Sequence, residues 1–309
     1  MTSVRPRLPD FYVAGPPRCG TTTLYEVLRR HDGIFLPAVK EPKYWCDDLD
    51  SGSVADGLIF TRSFDDYVRL FAGAAPEHLA GDLSPWYLYS SRAIARIADA
   101  SPGARFIVGV RNPVDLIESL HAQRLASSYE DLPDLREALA AEPDRAQGRR
   151  LPRHVRNIPG LLYTRVASLG DQLERLRRLV PDDRIHVYVF DDFREQPLSV
   201  VNGMLAFLGL HPLGDDRPIE VINARPRVTH RALRNAFTGS SKVTWARRLV
   251  PPIVRRPVRA AIDRVTLSRT PTGSPLTASE RQELLARFRP DIERTSRIVG
   301  RDLWALWST

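Results

Sequence analysis

The 309-residue sequence predicts an α/β fold, a three-layer arrangement with a mostly parallel central sheet and helices on both faces. Three observations carry this. Short β-rich runs alternate with helical periodicity. The first run, DFYVAG, enters a glycine loop that continues straight into a helix. A later run, RFIVGV, is bounded by turn residues and again leads into a helix.

In order along the chain, DFYVAG reads as a buried strand, and TTTLYEVLRRH continues with helical spacing at Leu24, Val27 and Leu28. RFIVGV (105–110) lies between SPGA and RNP, and PVDLIESLHAQRL then starts a helix with Pro113 in its first turn. The helix RVASLGDQLERLRRLV precedes the strand RIHVYVF (184–190), and LSVVNGMLAFLGL and SERQELLARFRPDIERTSRIVG read as later helices. Residues 127–160 are polar, with a surface helix expected at LPDLREALAAE. The expected organisation is one domain over 1–309, with a core at about 10–212, an irregular Arg-rich segment at about 223–275 lining or covering the cleft, and a C-terminal helix at about 278–300.

Composition narrows the class. Hydrophobic residues make up 43% and charged residues 27%, ordinary for a soluble globular protein. No apolar run reaches the roughly 20 residues of a membrane span, and the N-terminus lacks a signal-peptide core. Cys19 and Cys46 are the only cysteines, which predicts a reducing, cytoplasmic setting without a disulfide framework. The net charge of +8 favours acidic partners. Nucleic acid is not expected, because zinc spacing, aromatic–basic RNA signatures and a contiguous basic arm are all missing. Lysine occurs only at Lys40, Lys43 and Lys242, so nearly all the basic charge is arginine. Seven arginines between Arg247 and Arg269, interrupted by Pro251, Pro252 and Pro257, suit a solvated basic loop, or a peripheral contact with an anionic membrane or substrate.

The chemistry starts at YVAGPPRCGTTTL. Gly15 and Gly20 have the spacing of a phosphate loop, but Thr21 stands where a nucleotide-hydrolysing loop carries lysine, and Arg18 is the only basic residue within it. Strand, glycine loop and helix aim backbone N–H groups at an anion. Arg111 ends the RFIVGV strand, where open α/β sheets bind ligands, and Ser119 follows about two helical turns later, a pairing suited to a phosphate dianion. Asp191, closing VYVFDD, offers a weak match to a magnesium-holding acid.

Together these pieces resemble sulfotransferases that use 3′-phosphoadenosine 5′-phosphosulfate (PAPS), closest to the bacterial, heparan-sulfate-type and carbohydrate branch. GPPRCGTTTL is similar to their 5′-phosphosulfate loop and VRNPVDLIES to their 3′-phosphate element. KEPKYW, GDLSPWYLYS, RIHVYVFDDFREQPLSVVNGMLAFLGL and RIVGRDLWALW resemble further segments in order, so the resemblance spans about residues 11–307.

The resemblance implies a P-loop-like sulfotransferase fold. It also implies a sulfonate moved in line from PAPS to an acceptor hydroxyl, or more rarely an amine, leaving 3′,5′-ADP and needing no metal. The acceptor would be a carbohydrate, glycolipid or small natural product. Cofactor-binding residues would be Arg18, Cys19, Gly20, Thr21, Thr22, Thr23, Arg111 and Ser119, with Arg225 and Arg227 as substitutes for a late basic loop. Glu41 carries over as general base, flanked by Lys40 and Lys43, and Arg18 would steady charge on the bridging oxygen. His121 is the rival base. Trp45, Trp86, Tyr87 and Tyr89 are either acceptor-cleft aromatics or core packing. Two departures stand out: Arg18 replaces the branch's lysine, and Asp82–Leu83 replaces Glu-Lys of the E-K-x-P-x-Y segment. The competing readings are a P-loop kinase or NTPase using Asp191 and Mg²⁺, and a non-catalytic nucleotide-binding protein.

Overall fold

The computed structural model describes residues 7–214 except 55 and 154, residue 219, and residues 274–308. Arg225, Arg227 and the arginines of 247–269 lie outside the described residues. The chain divides into two compact units, one made of Met1–Ile117, Thr164–Asn223 and Ala278–Thr309, the other of Glu118–Tyr163 and Ala224–Thr277.

The first unit holds a five-stranded sheet of β1 (Phe11–Gly15), β2 (Ile34–Phe35), β3 (Leu79–Asp82), β4 (Arg105–Val110) and β5 (Ile185–Val189), in the order β2-β3-β1-β4-β5. Every pairing is parallel, as the alternating sequence pattern predicts. All five residues of β1 are buried, the signature of a central strand covered on both faces. Phe11, Val13 and Ile107 pack with Leu24 and Leu28 of helix α1 (Thr21–Leu28) and with Val201, Met204, Leu205 and Leu208 of helix Pro197–Leu208. Tyr12, of opposite parity, stacks on Phe106 with centroids 5.6 Å apart.

The strand order places the ligand crevice. From β1 the chain crosses towards β2, and from β4 it crosses the other way to β5, so the neighbouring C-terminal ends of β1 and β4 form the topological switch point. Helix α2 (Phe64–Arg69) starts at Ser63, whose hydroxyl accepts from Asp66 N–H. Helix α3 (Ala93–Ala100) buries Ile94 and Ile97. Helix α4 (Pro113–Ala126) starts where Asn112 Oδ1 accepts from Val114 N–H at 2.9 Å, with Pro113 as the first helical residue.

Four elements differ from expectation. β2 and β3 are short strands without a readable alternating pattern. The C-terminal helix is two helices, Ala278–Arg287 and Arg289–Val299, with Pro290 at the start of the second, where a missing N–H costs nothing. The expected LPDLREALAAE helix appears as Leu135–Ala140 followed by Glu142–Arg145.

The second unit is organised around a buried ion pair. Arg145 donates two hydrogen bonds of 2.7 Å to the Glu130 carboxylate, and both side chains are fully buried. Tyr163 Oη donates to the same carboxylate at 2.8 Å, and Leu132 N–H at 3.0 Å. Burial alone would raise Glu130, but these donors hold it below its ordinary value.

Candidate active site

The loop after β1 takes the shape of an anion cradle. Gly20 is the N-cap of α1 with φ 78°, and Arg18 also lies in the left-handed region at φ 70°. A Cβ on Gly20 would come within 2.5 Å of Phe193 Cε1, so glycine is required both by conformation and by close packing. Helix α1 opens without a side-chain cap. The first N–H groups of a helix have no intrahelical partner and carry the positive end of its dipole. Cys19 contributes backbone only, because burial pushes its thiol up to about 12 despite nearby Arg111 and Arg18.

Arg111 stands at the end of β4 beside this loop. Its Nη1 donates to the Arg18 carbonyl oxygen at 2.5 Å, and its guanidinium lies 4.6 Å from the Phe190 ring centroid, just past β5. Its Nε is buried with no hydrogen-bond partner among the described residues. Such an orphaned charged donor suits an incoming anion. Ser119 lies on α4 in the part belonging to the second unit, and is half-buried.

KEPKYW meets the cradle from another side. Lys40 Nζ donates to Thr22 Oγ1 at 2.8 Å and lies 3.3 Å from Glu41 Oε1, while Lys43 Nζ lies 3.3 Å from Glu41 Oε2. Sequence-predicted residues 22, 40, 41 and 43 are thus brought into one chain of contacts. Glu41 and Lys43 both adopt left-handed backbones with φ 57°. Non-glycine residues pay for that conformation, and such residues cluster at functional sites. Burial favours the protonated form of Glu41, but the Lys43 and Lys40 ammonium groups outweigh it and hold the carboxyl below its ordinary value. A cavity of about 110 Å³ opens beside Lys43, lined also by Tyr44, Phe60, Arg62 and Arg96.

The remaining candidates separate. His121 is buried, and burial lowers its pKa, so the ring is neutral. Its Nε2 is 2.9 Å from the Leu132 carbonyl oxygen, which can only accept, so that nitrogen carries the proton. Asp191 accepts from Trp307 Nε1 at 3.0 Å and pairs with Arg194 at 3.4 Å. Trp45, Trp86 and Tyr87 are buried. Asp82, marked in the sequence only as a departure, is fully buried and accepts from Ser84, Tyr67 and Tyr87. Ser84 and Tyr87 follow it closely in the chain, but Tyr67 comes from α2, so the sequence does not reveal the network. Among the described residues, one group could hold a metal ion, His31 with Asp32 and His211. There His31 Nδ1 already accepts from Gly33 N–H at 3.0 Å, and Nε2 faces the His211 carbonyl oxygen at 3.0 Å.

Comparison with known proteins adds three findings. The family model described as "Sulfotransferase domain" matches residues 8–224. Human carbohydrate sulfotransferase 15 is 30% identical over 166 residues, 42% of this chain and 29% of that protein. Mouse heparan sulfate glucosamine 3-O-sulfotransferase 6 is 30% identical over 128 residues, 40% of this chain and 33% of that protein. The chain thus aligns with about a third or less of these relatives' length. A solved sulfotransferase from Alicyclobacillus acidocaldarius superposes with a TM-score of 0.70 at 24% identity, covering 98% of this chain and all of that one, and so shares the fold. No helix among the described residues is long and apolar enough to cross a membrane.

Proposed function

Because the chain belongs to the sulfotransferase-domain family and is a sulfotransferase by that membership, we propose that it moves a sulfonate from PAPS to an acceptor hydroxyl, with Glu41 as general base. The observation that carries the donor assignment is the Arg111–Arg18 contact, which sets a guanidinium with a spare buried donor beside an uncapped helix N-terminus. PAPS carries a single phosphate at its 5′ end and another at its 3′ position, so it needs two anion pockets rather than a lysine for outer phosphates. PAPS supplies the transferable sulfonate.

The residues then divide the work. Backbone N–H groups from Cys19 to Thr23 bind the 5′-phosphate, and the hydroxyls of Thr21, Thr22 and Thr23 add donors. Arg111 holds the 3′-phosphate; the part of Ser119 in that grip rests on the sequence resemblance. Glu41 accepts the acceptor's hydroxyl proton as the acceptor oxygen bonds to sulfur. The bond from sulfur to the 5′-phosphate oxygen breaks, and that oxygen keeps the electron pair in departing 3′,5′-ADP. Arg18, always cationic, steadies this charge without giving up a proton. Lys40 and Lys43, each 3.3 Å from the Glu41 carboxylate, keep it ionised and offer positive charge to the sulfonate oxygens.

The names of the carbohydrate and heparan sulfate relatives favour a glycan or glycolipid hydroxyl as acceptor, and the cavity beside Lys43 offers it an approach. The matched span runs through residues of both compact units, in keeping with one sulfotransferase domain. Two buried free thiols suit a reducing, cytoplasmic setting. The kinase reading is disfavoured because Asp191 is already engaged by Trp307 and Arg194. Calorimetry with 3′,5′-ADP, 5′-ADP and ATP tests the donor. Selective, chelator-insensitive binding of 3′,5′-ADP is expected; equal binding of ATP that depends on Mg²⁺ would replace this reading with the kinase one.

A further inference from the structure

Two arms of hydrogen bonds run from Asp82 to the segment that carries Glu41. In the first, Ser84 Oγ donates to Asp82 Oδ1 at 2.7 Å and itself accepts from Lys43 N–H at 3.1 Å. In the second, Tyr67 Oη donates to Asp82 Oδ2 at 2.9 Å and accepts from Trp45 Nε1 at 2.9 Å. Tyr87 Oη is the carboxylate's third donor, also to Oδ2, at 2.7 Å. Asp82, Ser84, Tyr67 and Tyr87 are fully buried, and Trp45 nearly so. The carboxylate closes β3, paired with Tyr12 of the central strand β1.

We infer that Asp82 is the positioning residue of the proposed base, a buried carboxylate that grips the KEPKYW segment at residues 43 and 45 and so holds Glu41 and Lys43 in their left-handed conformations. The inference rests on the proposed role of Glu41. Left-handed backbone at two non-glycine residues persists only where surroundings over-determine it, and the two arms supply that constraint. Asp82 touches neither Glu41 nor, by its burial, any acceptor, so it acts through the backbone of its neighbours.

The network also makes the site sensitive to acid. An ionised carboxylate accepts all three donors; once protonated, it must donate one bond and loses acceptor capacity. Burial, with a smaller push from the charge of Glu41, raises Asp82 to about 6 against the lowering by Ser84, Tyr87 and Tyr67. The other titratable groups facing it are Tyr12, Tyr67, Tyr87 and Cys46, all pushed upward by burial and therefore neutral around pH 6. Glu41, held low by its lysines, stays ionised there. As pH falls through about 6, the grip loosens while the base itself remains charged.

The test is release of 3′,5′-ADP from PAPS by the full chain, with water or a hydroxylated glycan as acceptor, followed from pH 5 to 8 beside 3′,5′-ADP affinity by calorimetry. The wild type should lose kcat with a midpoint near pH 6 at unchanged nucleotide affinity. Asp82→Asn keeps volume and an acceptor for the tyrosines, and should abolish that acid limb. Ser84→Ala, which removes one hydroxyl and cuts only the Lys43 arm, should lower kcat about tenfold with KM for PAPS unchanged. A limb that persists in Asp82→Asn, or full kcat in Ser84→Ala, overturns the positioning role. No 3′,5′-ADP binding and no turnover in the wild type would instead overturn the sulfotransferase reading on which it rests.

Discussion

Arg111 donates from Nη1 to the carbonyl oxygen of Arg18 at 2.5 Å, joining the end of β4 to the loop that follows β1. The contact spends one donor of a rigid five-donor fork on the protein, while Nε is buried with no hydrogen-bond partner among the described residues. The carbonyl it engages belongs to a residue with left-handed backbone, Arg18 at φ 70°.

Arg111→Ala therefore removes the proposed ligand contact and a loop tie at once. A charge-assisted hydrogen bond contributes about 1.5–3 kcal/mol, so 3′,5′-ADP affinity should fall roughly 10–100-fold by calorimetry. Arg111→Lys should recover little, because a point charge cannot serve both directions of the fork. Wild-type affinity in Arg111→Ala would remove it from the donor site.

Glu41→Gln keeps the shape of the side chain and removes its basicity. Turnover should drop by about 10²–10⁴-fold, while 3′,5′-ADP binding stays nearly intact. Rapid-quench measurement of a single turnover separates loss of the transfer step from slow product release. Loss of binding without loss of the step would argue that Glu41 only organises Lys40 and Lys43.

Gly20→Ala forces a Cβ to within 2.5 Å of Phe193 Cε1 and places alanine at φ 78°. Backbone strain of this kind costs about 1–3 kcal/mol, read as a lower urea midpoint. Nucleotide affinity should fall in parallel, since the first turn of α1 depends on that residue.

Arg145→Ala leaves the Glu130 carboxylate buried without its bidentate partner. Breaking one side of a buried ion pair costs about 3–5 kcal/mol, so this variant should unfold at markedly lower denaturant than wild type. A change below about 1 kcal/mol would mean the unit relaxes to let water reach Glu130.

Stability and pH should couple with opposite signs at the two acids of the site. Asp82 has a raised folded pKa, so its contribution is fully present below its ordinary value of 3.8 and is lost as pH rises through about 6. Glu41 has a lowered one, so its contribution is present above its ordinary value of 4.5 and is lost as pH falls through the folded value. Asp82→Asn should remove the first component from a plot of unfolding free energy against pH and leave the second.

Much of the site was legible because its signals are local. Gly15, Arg18 and Gly20 write a loop conformation in adjacent residues, and Asn112–Pro113 writes a helix start directly after Arg111. Such features depend on φ preferences and on capping by neighbours, both carried by a few consecutive residues. The parallel sheet was legible for a related reason: β1, β4 and β5 are apolar-rich runs long enough to read, and β1 and most of β4 are buried on both faces. β2 has two residues and β3 four, too few for any periodicity to emerge.

By itself the sequence determined the fold class, the glycine loop and the order of the candidate site segments, because each is encoded by residues close together in the chain. Only the tertiary structure decided what those segments do to one another. Lys40 reaches Thr22 across 18 positions, Lys43 N–H reaches Ser84 across 41, and Asp82 gathers Tyr67, Ser84 and Tyr87 into one buried network. The reason is physical: a hydrogen bond between distant residues depends on which strands lie side by side, and a buried carboxylate takes its pKa and its role from neighbours that no local pattern names.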